Sequence, residues 1–239
     1  MPDDGRVAMF ALRKSQDRGR TQLDWLESRH SFSFGDYRDP AHMNFGDLRV
    51  INEDMIKLAG PPAAPELRME MIIYVISGPL EHLDSLGNGS IIPGSQVQRM
   101  SAGAGIVHAE FNASHDQSLH LLQIWIAASQ AVLDSSYEER DIGPGAIANR
   151  FARIASPEPL QTEVRLVQDA EIWAARFDRN EEAIHMPAPG RRAWAQVARG
   201  GVEIGTLMLI AGDAISVSDE DRVMVRARDR AEILLFHLA

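Results

Sequence analysis

The stretch from Met69 to Trp125 restricts the fold more than any other part of this chain. Short β-branched and apolar runs are cut there by Gly, Pro, Asn and Ser clusters every few residues, which is the rhythm of a small antiparallel barrel. Met71 to Ile76 is too short and too β-branched to make a helix. Ser77-Gly78-Pro79 turns that strand and Leu80 to Asp84 returns. Leu86-Gly87-Asn88-Gly89 forms a tight turn in which Asn88 and Gly89 tolerate the positive φ of a two-residue hairpin. After Ile91-Ile92 come the break at Pro93-Gly94, a strand through Gln98 to Met100, and a second glycine-rich corner from Ser101 to Gly105. That corner delivers His108 and Glu110.

Side chains two apart on a strand share a face, so His108 and Glu110 point the same way, together with Ile106. An imidazole and a carboxylate in an apolar barrel mouth suit a divalent first-row metal. Taken alone the pair favours a plainer reading, a hydrogen-bonded couple at a barrel rim, because His-x-Glu arises by chance in many strands.

With 239 residues, 45% of them hydrophobic, the chain can hold one large domain or two of ordinary size. No run approaches the roughly 18 apolar residues of a membrane span, and MPDDGRVAMFALRKSQDRGR has no hydrophobic signal core, so a cytoplasmic protein without membrane contact is expected. There is no cysteine, which excludes disulfides, thiolate zinc sites and cysteine nucleophiles. Any metal must be held by His and carboxylates. A formal net charge of −10 argues against direct nucleic-acid binding, which needs clustered Lys and Arg.

Val7, Met9, Phe10 and Leu12 form an apolar set able to pair as a strand at a sheet edge, and Arg13 to Arg20 reads as a solvated loop. Ser31-Phe32-Ser33-Phe34-Gly35-Asp36-Tyr37-Arg38-Asp39-Pro40 alternates aromatic with small polar residues. It could be a ligand site, but an aromatic strand end packing on a barrel is the favoured reading. Phe45 to Asp54 makes a further strand and turn. Beyond Trp125, Tyr137-Glu138-Glu139-Arg140 and Gly143-Pro144-Gly145 read as a connection, and Ser156-Pro157-Glu158-Pro159 continues it. A boundary near residue 150 gives domains 1–150 and 151–239.

The C-terminal part repeats the centre. Val197-Ala198-Arg199-Gly200-Gly201 followed by Ile210 to Ile215 echoes Val75-Ile76-Ser77-Gly78 followed by Ile92 to Val97. Asp169 to Phe177 is ambiguous by period, and its β neighbours make it a strand. The second copy has no His-x-Glu equivalent, since Glu232 to Phe236 is almost wholly apolar. It therefore reads as a scaffold barrel without metal, with His185 and His237 isolated in sequence and His237 at a surface or interface position.

In order, HSFSFGDYRDP, LRVINED, YVISGPLEHLDSLGN, MSAGAGIVHAE, LHLLQIW and AEILLFHL resemble the pirin family of bicupins over nearly the whole chain. The resemblance implies an all-β fold of two tandem cupin barrels, each a double-stranded β-helix. It also implies similarity to bacterial quercetin 2,3-dioxygenases and to iron-dependent nuclear cofactors of animals. A metal-binding pirin carries His-Pro-His shortly before the first central strand and His-x-Glu on a later one. His108 and Glu110 match the second motif. Counted back from Met69-Glu70, the first falls on Ala64-Pro65-Glu66, where Ala64 cannot ligate and Glu66 replaces an imidazole by a carboxylate.

The metal set implied by the resemblance is thus Glu66, His108 and Glu110, more anionic than the family pattern and better suited to Mn or Mg than to Fe(II). A divalent metal, whether Fe, Mn or another, is expected to be weakly held or absent. His82, His115 and His120 are not ligand positions in the family. The reading favoured by the altered motif is a metal-poor binding or regulatory paralogue with a planar aromatic ligand or a protein partner. Its alternative is a metal-dependent quercetin 2,3-dioxygenase-like oxygenase using Glu66, His108 and Glu110.

Overall fold

The computed structural model describes residues 9–57, 69–84, 87, 89–92, 94, 96–101, 108–127, 136–143, 145–218 and 222–239, with the backbone alone for Met9, Asp84 and His108. Apart from one 3₁₀ turn at Ser15–Asp17, every regular element among these residues is a strand. No helix among them is long and apolar enough to cross a membrane. The strands gather in two compact units. One takes residues 18–144 and 154–168, and the other takes the chain up to Asp17 with 145–153 and 169–239.

In the first unit a seven-stranded sheet runs in the order Ser136–Asp141, Gln96–Ser101, Met69–Ser77, Leu119–Ala127, Leu48–Ile56, Leu26–His30, Gly19–Gln22. A three-stranded sheet, Gly89–Ile92, Leu80–Asp84 and His108–Asn112, lies in the same unit, as does the short strand Val164–Arg165. Alternation decides which side chains fill the barrel. Met71, Ile73 and Val75 from one strand meet Leu121 and Trp125 from its neighbour, with Leu80 and Ile92 from the smaller sheet, in a single apolar cluster. Met69–Ser77 is buried along both faces, which is why it reads as a continuous apolar run broken only by Glu70.

The second unit repeats this plan. Its larger sheet contains Met9–Arg13, Ala214–Ser218, Arg192–Arg199, Ala231–Leu238 and Ala170–Phe177, and its smaller one Glu182–His185, Val223–Ala227, Gly201–Ile204 and Leu207–Ile210. Gly78 and Gly200 close equivalent strands at φ of 84° and 68°. Met9–Arg13 is an edge strand, as its apolar set suggested, but it pairs with Ala214–Ser218 and Leu12 packs on the second unit's core. The chain's first strand therefore belongs with its last barrel.

Three other readings need correction. Tyr137 to Arg140 is no connection: Ser136–Asp141 pairs in register with Gln96–Ser101 at the sheet edge, where charged outward side chains serve to block further pairing. Arg18 is not solvated but buried, donating from Nη1 to Glu53 Oε2 at 2.7 Å. His237 is not at the surface. It lies 1% exposed on Ala231–Leu238, a strand buried at every position, and His185 Nε2 is 2.9 Å from its Nε2, so two imidazoles isolated in sequence meet in space. The packing of two separate sheets brings together residues 52 positions apart.

Candidate functional site

His108–Asn112 pairs antiparallel with Leu80–Asp84, setting Glu110 opposite His82 and Asn112 opposite Leu80. Leu80 belongs to the barrel core, so the pleat puts His82 and Glu110 on the inward face. His108 pairs with Asp84, two positions before Glu110. Ala64, Pro65 and Glu66 lie outside the described residues.

Burial and then the charge of Asp54 push the Glu110 carboxyl up to about 8. Asp54 comes from Leu48–Ile56, on the face shared by Val50 and Ile56. Burial raises its carboxyl to about 6, with Glu53 adding to the rise and Ser28, Arg18 and His120 opposing it. Ser28 Oγ donates to Asp54 Oδ1. Two carboxyls buried this way need either a proton or a cation to balance them, and the oxygen donors they offer fit a hard or borderline divalent ion. Among the described residues no three His, Asp or Glu side chains form a metal-binding group.

Of the imidazoles weighed as substitute ligands, His82 alone shares the face of Glu110. Gln98 Nε2 donates to its Nδ1 at 3.0 Å, which leaves the neutral ring's proton on Nε2, and Tyr137 stacks on it with centroids 4.5 Å apart. His120 faces outward to Glu53 Oε1 at 3.0 Å, the carboxylate that Arg18 also binds. His115 is exposed in a turn. Deeper in the inward face, His30 Nδ1 meets Asn52 Oδ1 at 2.7 Å and its Nε2 meets Thr21 Oγ1 at 2.8 Å, while burial holds its pKa below the usual value.

Asp54, Ser28 and Tyr137 were missed as neighbours of the site. The signal for Asp54 was present: in LRVINEDMI, Asn52 and Asp54 interrupt an inward face begun by Val50 and resumed by Ile56.

A cavity of about 340 Å³ opens on the same unit, lined by Phe34, Met69 and Trp125, with Arg38 and Arg49 among its polar walls. Phe34 packs edge-on against Trp125 at 5.5 Å. The aromatic HSFSFGDY segment thus both packs on the barrel and walls a pocket, and Met69 on that wall follows Glu66 by three residues.

The family model described as pirin matches residues 12–126, and that of the quercetinase C-terminal cupin domain matches residues 153–238. A protein of Escherichia coli strain K12 named quercetin 2,3-dioxygenase is 37% identical over 231 residues, covering 96% of this chain and 99% of its own. The chain belongs to the pirin family. A protein of Pasteurella multocida, named a putative quercetin 2,3-dioxygenase, is 34% identical over 235 residues, with 96% of this chain and all of its own length covered. The crystal structure of YhhW from Escherichia coli superimposes with a TM-score of 0.89 at 36% identity, over 97% of this chain and 98% of that one. A second structure of that bacterial pirin, in complex with nickel(II), gives a TM-score of 0.87 at 36% identity over 96% and 99%. Both expectations about architecture hold: the protein is an all-β bicupin with a pirin N-terminal and a cupin C-terminal domain.

Proposed function

We propose that the N-terminal barrel holds a divalent metal through Glu66, His108 and Glu110 and serves a quercetin 2,3-dioxygenase-like oxygenation of a planar aromatic substrate. One observation carries this reading. Glu110 is half-buried on the inward face with its carboxyl enclosed and pushed up to about 8 by burial and by Asp54, an electrostatic debt that a bound cation would cancel. The nickel(II) complex of the Escherichia coli pirin and the names of the relatives support it, as does an aromatic-walled cavity of a size suited to a small ligand. When bound, the metal would supply an electrophilic centre that orients substrate and dioxygen. In the same barrel, His82 keeps its Nε2 proton because Gln98 occupies Nδ1, Ser28 holds Asp54, and the rings of Phe34 and Trp125 offer faces and edges to a planar ligand.

A second reading rests on Ala64, where the family motif has an imidazole. The barrel would then keep its ligand pocket, hold metal weakly and act as a binding or regulatory protein. Tag-free protein reconstituted with manganese(II) or iron(II) separates the two. The oxygenase reading expects about one metal per chain and quercetin-dependent oxygen uptake, both reduced at least about ten-fold by Glu110→Gln. Metal without oxygen uptake, or quercetin binding without metal, would favour the second reading.

A further inference from the structure

The C-terminal barrel, assigned a scaffold role by its apolar strands, carries two imidazoles at one end. His185, 5% exposed on Glu182–His185, and His237, 1% exposed on Ala231–Leu238, bring their Nε2 atoms to 2.9 Å. Phe151 and Trp173 wall the pair edge-on, their ring centroids 5.2 and 4.7 Å from that of His185. Behind His237, Glu171 Oε2 stands 3.6 Å from Nδ1. Glu171 is fixed in turn by Arg153 Nη1, donating to Oε1 at 2.9 Å, and by Trp173 Nε1, donating to Oε2 at 3.1 Å.

The ring geometry separates two explanations of this contact. A straight Nε2–H···Nε2 hydrogen bond lies along both ring axes and sets the centroids about 5.2 Å apart. Two imidazoles bound to one ion at about 2.05 Å, with about 90° between them, set the nitrogens about 2.9 Å and the centroids about 4.5 Å apart. The observed values are 2.9 Å between nitrogens and 4.6 Å between centroids, with the rings inclined at 57°. The short centroid separation bends the ring axes off the N–N line, as ligation of one ion by both nitrogens requires. Tetrahedral ligation would spread the same nitrogens to about 3.4 Å.

We propose that His185 and His237 form a second metal site, a two-imidazole seat in the C-terminal barrel for a divalent ion of tetragonal preference, copper(II) or nickel(II). The site is separate from the one proposed in the N-terminal barrel and stands without it. Two features fit the role. The charge of Glu171, 3.6 Å from Nδ1 of His237 and beyond hydrogen-bond reach, favours the ring proton on that side and leaves the Nε2 lone pair for a ligand bond. Copper(II) stands at the top of the affinity order for nitrogen sites of this kind.

The test is copper(II) titration of the full-length, tag-free protein followed by electron paramagnetic resonance. A double variant, His108→Gln with Glu110→Gln, removes the N-terminal barrel from the measurement. A tetragonal spectrum with coupling to two nitrogens, retained in that double variant and weakened at least ten-fold in affinity by His237→Gln, is the expected result. His185→Gln serves in its place should His237→Gln lose its fold by circular dichroism, and should neither fold, the spectrum of the double variant decides. A spectrum without two-nitrogen coupling in the unmodified protein, or coupling that survives both single substitutions, would overturn the site and leave the pair as a shared-proton hydrogen bond.

Discussion

The carboxylate of Glu70, fully buried, receives the backbone N–H of Val167 on both oxygens, at 3.0 and 2.9 Å, and that of Gln168 at 3.2 Å. Arg99 Nε lies 3.7 Å away and donates to the carbonyl of Arg165 at 2.6 Å, so one acidic and one basic side chain together fasten the segment 154–168 to the N-terminal barrel's unit. Removing the acid leaves two backbone donors and a buried guanidinium uncompensated. Glu70→Ala should cost about 3–5 kcal/mol and Glu70→Gln, which keeps an acceptor oxygen, distinctly less. Urea unfolding with an unchanged m-value checks this. Equal losses for the two variants would mean that the carboxylate's hydrogen bonds contribute little.

Asp54 makes stability pH-dependent in a direction opposite to that of an ordinary surface carboxylate. Its folded pKa is raised from 3.8 to about 6, chiefly by burial. The native state therefore holds a proton that the unfolded chain has released, and this contribution is complete below pH 3.8 and lost as pH rises through about 6. The shift corresponds to about 3 kcal/mol at most. In the presence of a chelator, the stability of Asp54→Asn relative to the unmodified protein should rise between pH 4 and 7 by up to that amount. A difference that stays flat over this window would show that Asp54 is not raised.

Gly78 and Gly200 test the repeat. Each follows a central strand in the left-handed region, and a Cβ would meet the carbonyl oxygen of Ser118 at 2.7 Å in the first case and that of Arg230 in the second. Alanine adds the strain of positive φ to a collision with backbone, so Gly78→Ala and Gly200→Ala should each destabilise by about 2 kcal/mol or more. Thermal unfolding of the two variants would show it, and a loss below about 0.5 kcal/mol in either would remove that turn from the fold's requirements.

The same glycines explain how much of the architecture could be read beforehand. Turn chemistry and period-2 burial are local, so Ser77-Gly78-Pro79, the return through Leu80 to Asp84 and the second copy at Arg199-Gly200-Gly201 were all visible as strings. Pairing partners are not local. Nothing in MFALR says that it joins a strand more than 200 positions later, and nothing in YEER distinguishes an edge strand from a linker until Gln96–Ser101 lies beside it. The candidate site divides the same way. Glu110 stood out by its spacing from His108, whereas Asp54, Ser28 and the pair His185–His237 needed the sheets to be closed before they met.

The motif reading at Ala64-Pro65-Glu66 supplies the final prediction. Glu110 would enter the proposed N-terminal site as a buried carboxyl that also feels the charge of Asp54, so a further anionic ligand in Glu66 would stack like charge on like charge. Such a set should favour manganese(II) over iron(II), because hard oxygen donors suit the former and imidazoles the latter. Ala64→His with Glu66→His replaces one missing ligand and turns an anion into a neutral ring, which should raise iron occupancy at least ten-fold and reduce the preference for manganese. Metal analysis after anaerobic iron(II) loading is the primary measurement, with quercetin-dependent oxygen uptake beside it. Conversely, if the unmodified protein already holds one iron per chain and Glu66→Ala releases it, the carboxylate is an effective iron ligand, and the argument that it weakens iron binding is wrong.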